Sequence, residues 1–167
     1  MKELKIYSGH IRNWKKLCSL LGVDETLPRE KREEQLILRA YEKWNSQMGL
    51  YIHGIFSFAI FDSADNSLFC MRDPFGTKPF YYYETEDGKM LVGTTIREIM
   101  EQKGFVKELN QKMLQIYLTM TYTTGEETFF EGVKKLLPGR FLTFKNGESK
   151  ITRYFRPTFE PDNSKTL

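Results

Sequence analysis

Apolar residues recur along this chain in two periods. Leu4-Lys5-Ile6-Tyr7 alternates and predicts a short strand, ended by a turn at Ser8-Gly9-His10. Asn13 is placed to cap a helix in which Trp14, Leu17, Cys18 and Leu21 recur at i, i+3, i+4 and i+7, with Gly22 at its left-handed end. A longer helix is predicted from Pro28, burying Leu36, Ile37, Ala40, Tyr41, Trp44 and Met48 and ending at Gly49. Its early charges, Arg29–Glu34, read as a solvated face. From Gly54 the period changes: Ile55–Phe61 is apolar on both faces, as in a strand covered from both sides. A turn over Ser63–Asn66, the strand Leu68–Met71 and a Pro/Gly loop at Asp73-Pro74-Phe75-Gly76 follow. Strands Phe80–Tyr83 and Met90–Val92, joined through Asp87-Gly88, complete an expected meander. Helices are predicted over Ile96–Gln102 and, capped by Asn110, over Gln111–Thr119. Asn146-Gly147 marks a hairpin between Phe141–Phe144 and Lys150–Tyr154. Helices first and then an antiparallel sheet with further helices define an α+β fold. Residues 156–167 have linker composition, so the domain is expected over 1–155.

Composition narrows the field of functions. The 167 residues are 40% hydrophobic and 28% charged, with 13 Phe and 9 Tyr, which suits one globular domain with a substantial core. The net charge of +3 is spread along the chain with both signs interleaved, so no nucleic-acid partner is expected. No stretch approaches the ~20 apolar residues of a membrane span, and no signal-peptide pattern follows Met1, which leads to the expectation of a cytoplasmic protein with no membrane partner. Cys18 and Cys70 form no CxxC pair and read as buried free thiols. With His10 and His53 the only histidines, no metal site is expected.

Three segments, in order, carry a family resemblance. Gly54-Ile55-Phe56-Ser57-Phe58-Ala59-Ile60-Phe61-Asp62 is similar to a G-M-F-A-F-A-I-W-D strand, and Arg72-Asp73-Pro74-Phe75-Gly76-Thr77-Lys78-Pro79-Phe80-Tyr81-Tyr82 to an R-D-x-x-G-x-K-P-L-Y-Y turn. Thr128–Gly139 is similar to T-I-F-x-G-I-x-K-L-P-P-G. Together they resemble the glutaminase domain of the asparagine synthetase family, a class II glutamine amidotransferase of the N-terminal-nucleophile hydrolase type. The resemblance implies an αββα sandwich of largely antiparallel sheets, partial here because the family's opening strands are not matched.

What the resemblance implies for chemistry concerns other positions. The family's nucleophile is an N-terminal Cys whose α-amine serves as base, reasonable because an α-amine titrates near 7.7–8.0. Here Met1 is followed by Lys2, and neither Cys18 nor Cys70 has a free α-amine beside it, so no catalytic residue is assigned. The family's oxyanion-binding N-G-E-I-Y-N segment corresponds to Ser8-Gly9-His10-Ile11-Arg12-Asn13, with Ser8 in place of Asn and His10 in place of Glu. The Asp that grips the glutamine ammonium corresponds to Glu33, with Glu34 as the other alignment. Ser8, Gly9, His10 and Glu33 are thus expected as a vestigial glutamine site. Arg72, Asp73, Gly76 and Lys78 are read either as a structural turn or as a surface toward a neighbouring domain. Ser8 beside His10 also invites a hydrolase reading, but no orienting acid is apparent. No cofactor is expected, since nothing in these residues binds ATP.

Two functions remain: a glutaminase-like domain of an asparagine synthetase-type amidotransferase, inactive by itself, or a non-catalytic module that docks a separate synthetase-like chain. Expected partners are an ATP-binding synthetase domain or chain, or a second copy joined through an exposed sheet edge.

Overall fold

Phe56, Phe58 and Ile60 point to one side of a strand and Ala59 to the other, and all four are buried. That strand, β2 (Gly54–Asp62), organises the computed structural model, which describes residues 1–123 and 125–159. It pairs antiparallel with β1 (Lys2–Ile11) on one side and β3 (Ser67–Arg72) on the other. The hairpin strands β7 (Arg140–Lys145) and β8 (Glu148–Arg153) extend the sheet beyond β3, giving the order β1-β2-β3-β7-β8. Asn146 and Gly147 both take positive φ in the connecting turn, as the right-handed twist of the flanking strands requires.

A second, three-stranded sheet lies against the first. In it β4 (Tyr81–Glu84) is flanked by β5 (Met90–Gly93) and by the two-residue β6 (Lys134–Lys135). The expected single meander is therefore corrected: after β3 the chain leaves for the other sheet and returns to β3 only with β7. Three apolar clusters define four layers. Helices α1 (Trp14–Leu21) and α2 (Arg29–Trp44) bury Leu17, Leu36, Ile37 and Ala40 against Phe56, Phe58 and Met71. Between the sheets lie Ala59, Cys70, Phe80, Leu136 and Leu142. The outer face of the small sheet packs Tyr83 and Leu91 against Ile99 of α3 (Ile96–Met100). Helix α4 (Gln111–Met120), capped by Asn110 Oδ1 accepting from the Met113 N–H at 3.0 Å, adds only Met113 to the interior.

Three local expectations are corrected by tertiary contacts. Ser8-Gly9-His10 is no turn but the continuation of β1, held by pairing with Ser57, Phe56 and Ile55. Asn13 precedes α1 without capping it, because its side chain instead ties the loop before β2, donating to the Tyr51 carbonyl and accepting from the His53 N–H, each at 2.9 Å. Helix α2 ends at Trp44, where Asn45 takes φ 48°, and Met48 reaches the core from a following 3₁₀ turn over Asn45–Leu50. No helix of the described residues is long and apolar enough to cross a membrane. The tail expected over 156–167 lies, from residue 160 onward, outside the described residues.

Candidate functional site

The end of β1 and the first turn of α2 enclose a cleft of about 590 Å³, lined by Tyr7, Gly9, Pro28, Arg29, Glu30 and Glu33. Gly9 is where the edge strand β1 comes close against β2. Its φ is +147°, and a Cβ there would stand 2.2 Å from the Ile55 carbonyl oxygen and 2.7 Å from Phe56 Cα, so only glycine fits. Replacing it with Ala is expected to cost about 2–4 kcal/mol, because backbone rather than a movable side chain must give way. Urea unfolding measures this, and a change below about 0.5 kcal/mol would contradict the close approach.

Glu33 is the chemical centre of the cleft. It belongs to the stretch expected to be a solvated face, and the structure corrects that expectation: Glu33 is 1% exposed, while its neighbour Glu34 faces solvent. Helical geometry carries it inward beside Leu36 and Ile37, and the exposed end of β1 supplies polar partners. Oε1 accepts from the Ile11 N–H at 3.1 Å and from His10 Nδ1 at 2.8 Å. Oε2 accepts from the Tyr7 hydroxyl at 2.7 Å and from Arg29 Nε at 3.4 Å. Burial alone raises the carboxyl pKa, but the hydrogen bonds from Tyr7, Ile11 and His10, with the Arg29 charge, outweigh it and hold Glu33 below its ordinary value. Glu33 is therefore ionised, and His10 carries a proton on Nδ1. Burial, joined by the hydrogen bond to Glu33, pushes the Tyr7 hydroxyl upward, so it stays a donor.

A carboxylate has about four lone-pair positions, and all four here receive donors from the same chain. Arg29 also donates from its terminal nitrogen to the Gly9 carbonyl at 2.8 Å, closing the network across the strand end. Of the four residues expected at a glutamine site, Gly9, His10 and Glu33 are thus brought together. Ser8 has no side-chain hydrogen bond among the described residues. Glu33 is the orienting acid missing from the sequence-level view of His10, yet Ser8 and His10 are not joined by a hydrogen bond. Tyr7 and Arg29 were not singled out from sequence. Arg29 was legible in principle from its i, i+4 spacing to Glu33, whereas Tyr7 gave no signal beyond its place in an alternating strand.

The Arg72–Lys78 turn is held from inside. Arg72 donates to the carbonyls of Lys78 at 2.6 Å, Leu136 at 2.6 Å and Gly76 at 2.7 Å. Asp73, 1% exposed, accepts from the N–H groups of Phe75, Thr77 and Lys78 at 3.0–3.1 Å. Gly76 has φ +65°, and a Cβ on it would stand 2.6 Å from Pro138. Outward, the turn presents Phe75, 77% exposed and edge-on to Phe155. Both thiols are buried, Cys18 at 2% and Cys70 at 0% exposure, and burial raises the pKa of each, away from the nucleophilic thiolate. The described residues contain no group of three or more His, Cys, Asp or Glu able to hold a metal ion.

Helices packed outside two facing antiparallel sheets, with a polar cleft at the end of the edge strand β1, define an amidotransferase-type fold. Glutamine phosphoribosylpyrophosphate amidotransferase from Bacillus subtilis superposes with a TM-score of 0.59 at 15% identity, over 93% of this chain and 30% of that one. The glutamine amidotransferase domain family matches residues 2–155, and the chain belongs to it. A Mycobacterium tuberculosis protein with the provisional name asparagine synthetase (glutamine-hydrolysing) is 30% identical over 159 residues, 92% of this chain. The glutamine-hydrolysing asparagine synthetase 3 of B. subtilis is 28% identical over 151 residues, 90% of this chain. The chain spans about a quarter of the length of these relatives, 24% in both cases.

Proposed function

We propose that these 167 residues are the glutaminase-type domain of an asparagine synthetase-like system, that they do not hydrolyse glutamine by themselves, and that they serve a cytoplasmic synthetase-type domain or chain. The observation that carries this reading is the saturation of Glu33. A residue that grips a substrate ammonium must have acceptor capacity facing the cleft, and every lone pair of this carboxylate is taken by Tyr7, His10, Ile11 or Arg29. Displacing them for an ammonium would exchange charge-assisted bonds for others of similar strength and, at the buried Ile11 N–H and the part-buried Tyr7 hydroxyl, leave donors without an acceptor, with little or no net gain. The thiols support the same conclusion. A nucleophile for amide cleavage must be readily ionised and reachable, whereas Cys18 and Cys70 are both buried and burial raises the pKa of each.

Service to a larger body is supported by the relatives, three quarters of whose length lies outside the region this chain matches. On this reading Ser8, Gly9, His10 and Glu33 are the remains of a glutamine site, and the Arg72–Lys78 turn presents Phe75 to a neighbour. The domain boundary is placed near residue 155. The test is to incubate the purified chain with millimolar glutamine, following ammonia release and, by calorimetry, binding. Neither is expected above a heat-killed control. Ammonia release that a thiol reagent abolishes would overturn the proposal, as would saturable binding of glutamine.

A further inference from the structure

A second cleft, of about 450 Å³, opens where the loop before β2 meets the Asp73–Thr77 turn and the segment that follows β8. It shares no lining residue with the cleft around Glu33, and its chemistry is the reverse. Ile52, 1% exposed, lies deepest, and Ile55, Pro74, Phe75 and Phe155 form the walls, so most of the lining is apolar. Phe75 and Phe155 stand edge to face, with ring centroids 5.7 Å apart at 62°. A concave, mostly apolar cleft of a few hundred Å³ with a small number of polar groups has the form of a small-molecule site.

The polar groups select the ligand. Arg12, His53 and Thr77 also line the cleft. Each donates its backbone N–H, to His53, Asn13 and Asp73 respectively, and among the described residues none of the three has a side-chain hydrogen bond or ion pair. The single acid in the lining, Asp73, is buried and commits its carboxylate to three backbone N–H groups. The cleft thus offers a guanidinium, an imidazole and a hydroxyl, with no free acid facing them. An open guanidinium fork matches the two oxygens of a carboxylate. An ammonium on the ligand would meet Arg12 with no acid to receive it, which disfavours amino acids. A second carboxylate would lie against the apolar walls without a partner. The two phenyl rings favour an aromatic body, because a third ring gains edge contacts beyond the area it buries.

We propose that this cleft binds a small monocarboxylate with an aromatic body, its carboxylate on Arg12, His53 and Thr77 and its ring among Ile52, Ile55, Phe75 and Phe155. This does not depend on the state of the glutamine cleft. The probes are hydrocinnamate and its uncharged amide, titrated at neutral pH into the 167-residue chain by calorimetry, with backbone amide NMR shifts to locate the contact. Hydrocinnamate is expected to saturate with a dissociation constant on the order of a millimolar or tighter, as its size allows, and to shift Ile55 and Thr77. It should bind about tenfold more tightly than the amide, the difference made by charge-assisted hydrogen bonds. Arg12→Gln should remove most of that preference, whereas Phe75→Ala should weaken acid and amide alike, by about threefold or more. Circular dichroism establishes that each variant is folded. Absence of saturable binding up to about 10 mM overturns the proposal. So do equal affinities for acid and amide, and so does an affinity that both folded variants leave unchanged, which would place the contact elsewhere.

Discussion

Glu33→Ala is expected to lower the unfolding free energy by about 3–5 kcal/mol, the range for breaking a buried charged network by removing one partner. The loss has two parts. The Ile11 N–H and the Tyr7 hydroxyl are left without acceptors in a buried setting, each costing roughly 1–3 kcal/mol. The strand end also loses the carboxylate that ties it to α2. Glu33→Gln keeps one acceptor oxygen and the same volume, so about 1–2 kcal/mol is expected there. The two variants are distinguished further by pH. The Glu33 carboxyl titrates lower in the folded chain than in the unfolded one, so its contribution is full above the unfolded value of about 4.3 and is lost as the pH falls through the lower folded value. Wild-type stability should therefore fall on acidification in that window, and Glu33→Gln should flatten this part of the slope. Urea midpoints measured from pH 7 to pH 3 check both. An unchanged slope in Glu33→Gln would show that the carboxylate is not held by these donors.

Arg72→Ala is expected to cost on the order of 3–5 kcal/mol, and Arg72→Lys nearly as much. The guanidinium fork satisfies three carbonyls at once, those of Gly76 and Lys78 in its own turn and of Leu136 at the end of the short strand β6. It thereby ties the Pro/Gly turn to the small sheet. An ammonium is a point donor and cannot reach three carbonyls set around a plane, so the conservative replacement is not conservative here. Alanine leaves those acceptors without their donor, at about 1–3 kcal/mol for each that stays buried. Denaturant unfolding reads the magnitude, and a loss below about 1 kcal/mol in both variants would mean that water replaces the guanidinium without penalty. Arg72 and Asp73 are adjacent and opposite in charge, yet each is engaged with backbone rather than with the other. The residues this loop leaves exposed are Phe75, Thr77 and Pro79, of which Phe75 is the large apolar one.

These two networks frame the functional reading. In both, charged residues expected at a glutamine site or at a domain contact are engaged by the chain's own groups, Glu33 mainly by side chains and Arg72 and Asp73 by backbone. On the proposed reading, a carboxylate with four internal donors does not grip a substrate ammonium, and thiols whose pKa burial raises do not replace a thiol that has its own α-amine as base. The fold of an amidotransferase is thus present around a cleft whose polar groups are already paired.

Much of the architecture was legible from local pattern. The two-sided apolar run of β2, the Asn146-Gly147 hairpin, the left-handed Gly22 and the Asn110 cap are consequences of neighbouring residues and of φ, ψ preferences, and each stands in the structure where the pattern placed it. Family membership was legible as well, because the segments that match are strands and turns whose packing constrains side chains at fixed spacing. Other features depend on partners distant in the chain. Ser8–His10 has the composition of a turn and is a strand because β2 lies beside it. Asn13 could cap a helix and instead bridges to Tyr51 and His53. Glu33 sits in a run of charges that composition assigns to solvent, although the helical period sets it on the face of Leu36, Ile37 and Ala40, and the arrival of Tyr7, His10 and Ile11 from a strand more than twenty residues away makes burying it favourable. The linear chain by itself determined the elements and the family, because helix, strand and turn preferences are short-ranged. The division of the strands between two sheets and the pairing state of the cleft were decided only in three dimensions, because hydrogen bonds and ion pairs depend on which distant groups are brought within about 3 Å.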